Sequence, residues 1–235
     1  MVTRFRLAGR ARQNDWIMPE ADAQFVAERE AVMTSPRLPI TTDRLRLRTF
    51  EGKDFDALMA YSTLPEAQRY LDWKARDHVD VKDALEAMSR QVALNRPGDT
   101  LALAIERKAD DTIIGHISLH WHDATAAQAE LRCVLNPVYR RQGYGHEAAD
   151  AAITLGFDVF HFHRIFARCD ARNTASARLL KGLGMRLEAH YREHALFQGE
   201  WDEELHFAVL DREWQHTPGV HAFPSRRSAQ SHRVA

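Results

Sequence analysis

The chain has 235 residues, 45% of them hydrophobic, and a formal net charge of −1 at pH 7. This size fits one sizeable globular domain or two small ones, and the charge balance gives no electrostatic reason to expect a nucleic-acid partner. No apolar run approaches the roughly 20 residues that span a bilayer, so no membrane partner is expected. Two cysteines make neither a disulfide framework nor a zinc site, and a reducing cytoplasm is the expected location.

The two ends of the chain have weak structural patterns. The basic N-terminus lacks the apolar core of a secretory signal, and a more regular pattern starts near Met33. We expect residues 1–37 to be an extension outside the core fold, with a helix that docks on the domain as the alternative. Residues 38–214 form the predicted domain. Residues 215–235 carry arginines and prolines and are predicted to be a flexible basic tail.

Within the domain, strands are predicted from period-two alternation and helices from apolar spacings of three and four. In chain order, the first elements are a strand over 44–50, a helix from its N-cap Asp54 to Ser62, a helix over 79–94, and a hairpin of strands over 100–106 and 112–120. The later elements are a strand over 129–135, a helix with apolar positions from Ala149 to Phe160, a strand over 164–169, a helix from its N-cap Asn173 to Lys181, and a terminal hairpin over 185–197 and 201–210.

The stretch AELRCVLNPVYRRQGYGHEAA, residues 129–149, joins a strand to a helix through a glycine-bearing loop. Gly143 and Gly145 allow the backbone to approach a ligand closely, and the N–H groups at a helix N-terminus favour an anion. Arg140 and Arg141 add forked donors that suit phosphate oxygens. The loop therefore predicts a pyrophosphate cradle, and the alternative is a glycine-rich connection with surface arginines.

Residues 44–214 resemble the GNAT superfamily of acyl-CoA-dependent N-acetyltransferases, in its RimJ/RimL-like branch. The family's R-x-x-G-x-G/A positions fall on Arg140, Gly143 and Gly145. The segments that carry the resemblance, in the family's order, are TDRLRLRTF, ELRCVLNPVYRRQGYGHEA, ARNTASARLLKGLGM and REHALFQGEWDEELHFAVLDREW.

The resemblance implies an α+β (α/β) fold, with a mixed, mostly antiparallel sheet and helices on both faces. Its fourth and fifth strands, here 129–135 and 164–169, would splay apart and admit the pantetheine arm. The resemblance also implies contacts with the acetyl-CoA co-substrate. Backbone groups of Cys133, Val134 and Leu135 would bind the pantetheine and the acetyl carbonyl, and Asn173 and Ser176 would lie near the sulfur. The pyrophosphate would be bound by the loop residues Arg140, Arg141, Gln142, Gly143, Tyr144, Gly145 and His146.

The implied activity is that of an N-acyltransferase. An acetyl group would move from acetyl-CoA to a primary amine, either a protein N-terminal α-amine or a small-molecule amine, by direct attack in a ternary complex without a metal. An α-amine has a pKa of about 7.7–8.0 against about 10.4 for lysine, so its neutral form is reached at lower cost. A homodimer is left open.

Two catalytic candidates follow from these requirements. Glu130 is the acid on the fourth strand and is the candidate general base; the alternative is an ion pair with a neighbouring cation. The family often protonates the departing thiolate with a tyrosine, but Leu180 stands in that place here. Ser176 or a water is therefore the candidate acid, and a thiolate with a pKa near 8.5 could also leave without one.

Histidines and cysteines elsewhere in the chain have ordinary interpretations. His116, His120 and His122 lie on or just after the third strand, where positions i and i+4 are about 13 Å apart, so we expect surface or acceptor-cleft roles and no metal. Cys133 and Cys169 are expected to be buried thiols on neighbouring strands.

Two other functions compete with the acetyltransferase interpretation. Gly143 to Ala148 also satisfies G-x-G-x-x-A, and Asp170 ends the next strand, as in a dinucleotide-binding enzyme. The hairpins that precede this motif argue against that fold. A GNAT-like domain that binds CoA without turnover is the second alternative, which the missing tyrosine keeps open.

Overall fold

The computed structural model describes residues 36–70, 77–197 and 199–214. They form an eight-stranded sheet with the strand order β1-β2-β3-β4-β5-β6-β8-β7. The strands are β1 Ile40–Thr41, β2 Leu45–Arg48, β3 Thr100–Arg107, β4 Thr112–Asp123, β5 Gln128–Leu135, β6 Arg164–Asp170, β7 Arg186–Phe197 and β8 Glu200–Leu210. The helices are α1 Phe55–Ser62, α2 Pro65–Gln68, α3 His78–Arg90, α4 Tyr144–Asp158 and α5 Thr174–Gly182.

The sheet is antiparallel except for the pair β5–β6, which is parallel and is joined by α4. Helices pack on both faces, so the predicted fold class is confirmed. The larger core lies on the face that we call the α4 face, where Leu131 and Cys133 of β5 pack with α4 and α5. On the opposite α1 face, which carries Glu130 and Val134, α1 and α3 cover only part of the sheet.

A buried ion-pair network ties α1 to the sheet. Arg48 donates to both carboxylate oxygens of Asp54 at 2.8 Å and to Glu106 at 2.6 Å. Burial alone would raise the pKa of Asp54, but the hydrogen bonds from Arg48 and from the Glu51 N–H outweigh it, and the net pKa is lowered. This stabilisation is therefore present above the ordinary aspartate pKa of about 3.9 and is lost as the pH falls through the lower folded-state value.

Some element boundaries differ from the prediction because long-range contacts decide them. The second predicted helix ends at Arg90 rather than at 94, because Val92 forms a bridge with Leu101. Asp54 precedes α1 as predicted, but its carboxylate binds Arg48 and makes no side-chain cap. The four-residue α2 and the two-residue β1 were not predicted, since such short elements carry no periodicity.

The predictions for the two ends of the chain concern residues that lie mostly outside the described ranges. This applies to residues 1–35 of the predicted extension and to the predicted tail 215–235. The described core reaches Trp214, whose indole is 4% exposed and donates from Nε1 to Thr154 Oγ1 at 3.2 Å.

We expect Asp54→Asn to lower the free energy of unfolding by about 3 kcal/mol, because it leaves the largely buried Arg48 charge poorly compensated. Asp111→Asn is the control, since Asp111 pairs with Arg46 but its side chain is 70% exposed. Its effect should stay below about 1 kcal/mol. Urea unfolding at neutral pH measures both, and equal effects would contradict the assignment.

Candidate active site

The central feature of the site is a gap that opens between β5 and β6. Their described pairing covers three levels, which are Gln128↔Arg164, Ala129↔Ile165 and Glu130↔Phe166. Both strands continue beyond this point, β5 to Leu135 and β6 to Asp170, without further pairing to each other. The predicted splaying of these strands is therefore observed, and its widening end faces the predicted loop.

β5 remains paired with β4 over its whole parted section, up to the level Gly115↔Leu135. Glycine is required at 115, because a Cβ there would lie 2.2 Å from the Val134 carbonyl oxygen. The backbone of Cys133, Val134 and Leu135 is thus held by β4 on one side and borders the gap on the other. The predicted pantetheine contacts of this segment stay a prediction.

The loop between β5 and α4 contains two residues in the left-handed region. Arg141 has φ +62° and Gly143 has φ +83°, a feature that occurs in turns whose N–H groups bind anions. The first hydrogen bond of α4 runs from the Glu147 N–H to the Gly143 carbonyl at 3.1 Å. The N–H groups of Tyr144, Gly145 and His146 therefore have no partner within the helix and are available to an anion.

The side chains of the loop residues have different environments. Arg140, Arg141 and Gln142 are exposed, Tyr144 and Gly145 are buried, and His146 lies between these extremes. The guanidinium of Arg140 is nevertheless partly enclosed, and this desolvation lowers its pKa while Glu66 of α2 acts in the opposite direction. The backbone N–H of Arg140 donates to the Pro137 carbonyl at 3.2 Å, while its guanidinium makes no hydrogen bond or ion pair with the described residues and can serve a ligand at the cradle.

A clamp from the β1–β2 turn holds this loop, and sequence reasoning did not find it. Arg44 contacts Glu147 Oε2 from Nε at 2.7 Å and the Gln142 carbonyl from Nη1 at 2.9 Å, and its guanidinium lies 4.6 Å from the centre of the Tyr144 ring. Thr42 and the Arg44 N–H also donate to Glu147. An acid in the first turn of a helix is a local signal, but nothing local identifies a partner 103 residues away.

The second helix N-terminus of the site follows β6. Asn173 is the N-cap of α5, as predicted, and its Oδ1 accepts from the Ser176 N–H at 3.1 Å. Ser176 lies in the first turn, so both residues stand at the widening end of the gap. Leu180, which occupies the tyrosine place, is 5% exposed and belongs to the core.

Glu130 marks the last level at which β5 and β6 pair. Its carboxylate accepts from Arg168 Nε at 2.9 Å and from Arg132 Nη2 at 3.0 Å, and the residue is 4% exposed. Burial would raise the pKa of Glu130, but the two arginines outweigh this and lower it. A lowered pKa favours the ion-pair interpretation over that of a base, and the catalytic role of Glu130 stays a prediction.

The three histidines of β4 do not form a group. His120 hydrogen-bonds through Nδ1 to Thr100 at 3.0 Å, and His122 is exposed. His116 departs from the expected surface position, because α1 covers it and Tyr61 OH lies 2.8 Å from its Nδ1. Burial lowers the pKa of His116 to about 4, so its imidazole is neutral at neutral pH.

Both cysteines border the gap on the α4 face. Cys133 lies on β5 and Cys169 on β6, and both pack against the larger core. Burial raises the pKa of the Cys133 thiol to about 12 and that of Cys169 to about 11. At neutral pH both are thiols, which are poor nucleophiles.

Within the described ranges, no group of three or more His, Cys, Asp or Glu side chains is arranged to hold a metal ion. No helix in this part of the chain is both long and apolar enough to cross a membrane. The dinucleotide alternative requires a largely parallel sheet, and β5–β6 is the single parallel pair among the described strands. Asp170, which that alternative would place on a ribose, instead binds Arg172.

A family model described as an acetyltransferase (GNAT) domain matches residues 44–186. The chain belongs to the GNAT acetyltransferase family. It is 31% identical over 175 residues to YnaD of Bacillus subtilis, named an uncharacterized N-acetyltransferase; the match covers 74% of this chain and 98% of that protein. These similarities support an acyltransferase activity for this chain. Members of the GNAT family use acetyl-CoA as the acetyl donor.

Solved structures agree with this assignment. A GNAT acetyltransferase from Bacillus anthracis has a TM-score of 0.67 at 28% identity, and the match covers 74% of this chain and 99% of that one. Spermidine N-acetyltransferase from Vibrio cholerae, solved with CoA and spermine, has a TM-score of 0.62 at 15% identity and covers 72% of this chain and 97% of that one. The latter likeness concerns the fold alone.

We expect both cysteines of the native protein to react with iodoacetamide at least about 100-fold more slowly than in urea, at mildly alkaline pH. The reason is the raised pKa of each thiol, which leaves little thiolate. Mass spectrometry of the labelled peptides measures both rates. Native labelling of Cys133 as fast as in urea would contradict its burial.

Proposed function

We propose that this chain transfers an acetyl group from acetyl-CoA to a primary amine by direct attack in a ternary complex. The observation that carries the proposal is the gap between β5 and β6, which opens toward two helix N-termini. A gap between two strands suits the extended pantetheine arm, and the N–H groups at the start of α4 suit a pyrophosphate. Acetyl-CoA has both parts in one molecule.

The residues at the cradle fit the negative charge of that substrate. The pyrophosphate would lie against the backbone N–H groups from Gln142 to His146, with Arg140 and Arg141 beside it. The clamp formed by Arg44 and Glu147 fixes the loop before binding, so little conformational entropy is lost when the phosphates arrive. Asn173 and Ser176 would lie near the sulfur, at the start of α5.

Chemistry at the thioester requires a donor for the oxygen of the tetrahedral intermediate. Successive N–H groups of an extended strand point to alternate sides, so part of the Cys133–Leu135 segment presents N–H groups to the gap. Such a donor, fixed by β4, would stabilise the developing oxyanion. The Ser176 hydroxyl is the proposed proton source for the thiolate, since Leu180 offers no proton.

The acceptor is either a protein N-terminal α-amine or a small-molecule amine. The motifs of the RimJ/RimL-like branch favour a protein N-terminal α-amine, which also needs the weaker base. The Vibrio cholerae neighbour is named for spermidine, so the same fold also serves small amines. Acceptor choice depends on side chains around the gap, not on the fold.

The test of this function is an acceptor screen. Release of free thiol from acetyl-CoA is followed with N-terminal peptides, amino acids, polyamines and aminoglycosides, and product mass confirms transfer. We expect turnover with at least one primary amine. Acetyl-CoA binding without thiol release for every acceptor would support the alternative of a binding domain without turnover.

We further expect Gly143→Ala to weaken acetyl-CoA binding by about tenfold or more. Its φ of +83° is strained for a residue with a Cβ, and that Cβ would lie 3.1 Å from Arg44 Nη2. Gly98→Ala is the matched control, since Gly98 has φ +94° in open space away from the loop. Calorimetric titration measures both affinities, and an equal affinity for the two variants would contradict the cradle.

A further inference from the structure

An imidazole–carboxylate pair lies on β8, next to the widening end of the gap. His206 Nε2 is 2.6 Å from Glu204 Oε1. His206 is the cross-strand partner of Arg168, and Glu204 is the partner of Asp170. Cross-strand partners share a face, so the pair lies on the α1 face, beside the part of β6 that has separated from β5.

The contacts of His206 define which nitrogen is basic. Glu204 accepts from Nε2, so the proton of the neutral ring sits on Nε2 and Nδ1 is left as the acceptor. The ring of Tyr191 makes an edge-to-face contact with the imidazole, with 4.7 Å between the ring centroids, and this contact restricts the orientation of the imidazole plane. The side chain is 26% exposed, so Nδ1 can exchange a proton with water.

The surrounding charges on the α1 face are balanced. Arg168 of β6 approaches Glu204 at 3.8 Å, and His194 of β7 approaches the same carboxylate at 4.0 Å. The second arm of Arg168 is held by Glu130 of β5. Glu204 therefore faces His206 directly and would stabilise a proton on its ring. Arg168 is the fixed cation on the β6 side, and its positive charge acts in the opposite direction.

Other groups near the gap are poorly suited to accept a proton. Glu130 is held by two arginines and its pKa is lowered. His116 is enclosed beneath α1, and burial lowers the pKa of His120, whose Nδ1 already binds Thr100. His122 lies level with the paired section of β5, between Trp121↔Ala129 and Asp123↔Gln128, and its ring contacts Phe166 there rather than the parted section.

We propose that His206, oriented by Glu204, is the general base for the acceptor amine. This inference rests on the proposed acetyltransferase function. Because β6 lies between β8 and the gap, the proton would pass from the amine to Nδ1 through water rather than by direct contact. The acceptor ammonium gives one proton to Nδ1 through that water, and the neutral nitrogen attacks the thioester carbon. The C–N bond forms, the C–S bond breaks, and the thiolate leaves with the electron pair.

Two further proton transfers complete the reaction. The thiolate takes a proton from the Ser176 hydroxyl to give the free thiol of CoA, and the second proton of the new amide nitrogen restores that hydroxyl. The proton on His206 returns to solvent. The reaction as a whole releases one proton for each ammonium acetylated.

The test is the pH dependence of kcat/KM with the best acceptor of the screen. For His206→Gln we expect a loss of about 100-fold at neutral pH and the disappearance of the acid limb of the profile. For Glu204→Gln we expect a smaller loss of kcat/KM, because the imidazole of His206 loses the partner that orients it. His190→Gln should leave the profile unchanged.

His190 is a matched control because it forms the same kind of pair on the opposite face. Its Nε2 is 2.8 Å from Glu203 Oε2, and its cross-strand partner is Leu205, which packs with the larger core on the α4 face. A general effect of losing a histidine–carboxylate pair from the hairpin would appear in His190→Gln as well. Affinity for acetyl-CoA should remain equal in all these variants, since none touches the loop.

Chemical rescue separates a base from a structural residue. We expect His206→Ala to lose activity and to regain at least tenfold when imidazole is added, and this readout also serves if His206→Gln folds poorly. An acid limb retained by His206→Gln, absence of rescue, or loss of the limb in Glu130→Gln instead would each overturn the proposal. The proposed function fails separately, if the parent chain acetylates no amine in the acceptor screen. The His206 variants test only the base, because they are compared with an active parent chain.

Discussion

The structure depends on the point at which hydrogen bonding between β5 and β6 stops. Up to the level Glu130↔Phe166 these strands form an ordinary parallel pair, and beyond it each keeps its other neighbour, β4 or β8. The sheet therefore stays continuous on both sides of a gap. Because each strand is followed by a helix, the gap ends at two sets of unsatisfied N–H groups.

An ion pair between β5 and β6 lies where the two strands separate. Glu130 stands at the last paired level, and its carboxylate binds Arg168 of β6 and Arg132 of β5, each two residues beyond that level. Because the carboxylate is buried, loss of these arginines would leave its charge uncompensated, so the ion pairs help to hold the two strands together here. The lowered pKa of Glu130 suits an ion pair, and its role as general base stays a prediction beside the proposal for His206.

The sequence predicts well what is encoded locally. The alternation in residues 129–135, the Asn-Pro stop and the glycine-bearing loop indicated a strand, a turn and a helix N-terminus, and Asn173 is an N-cap as its residue type suggests. The splaying came from the family resemblance, since no period or spacing encodes the absence of pairing. Arg44 with Glu147 and Glu130 with Arg168 are separated by 103 and 38 residues, and only the folded topology brings them together.

Amide hydrogen exchange with and without CoA reports on the backbone groups that border the gap and form the loop. We expect CoA to slow exchange in the parted section of β5, residues 131–135, and in the loop 142–146, with little change in the paired section of the hairpin β7–β8. Slowed exchange elsewhere, with these two segments unchanged at saturating CoA, would contradict this expectation.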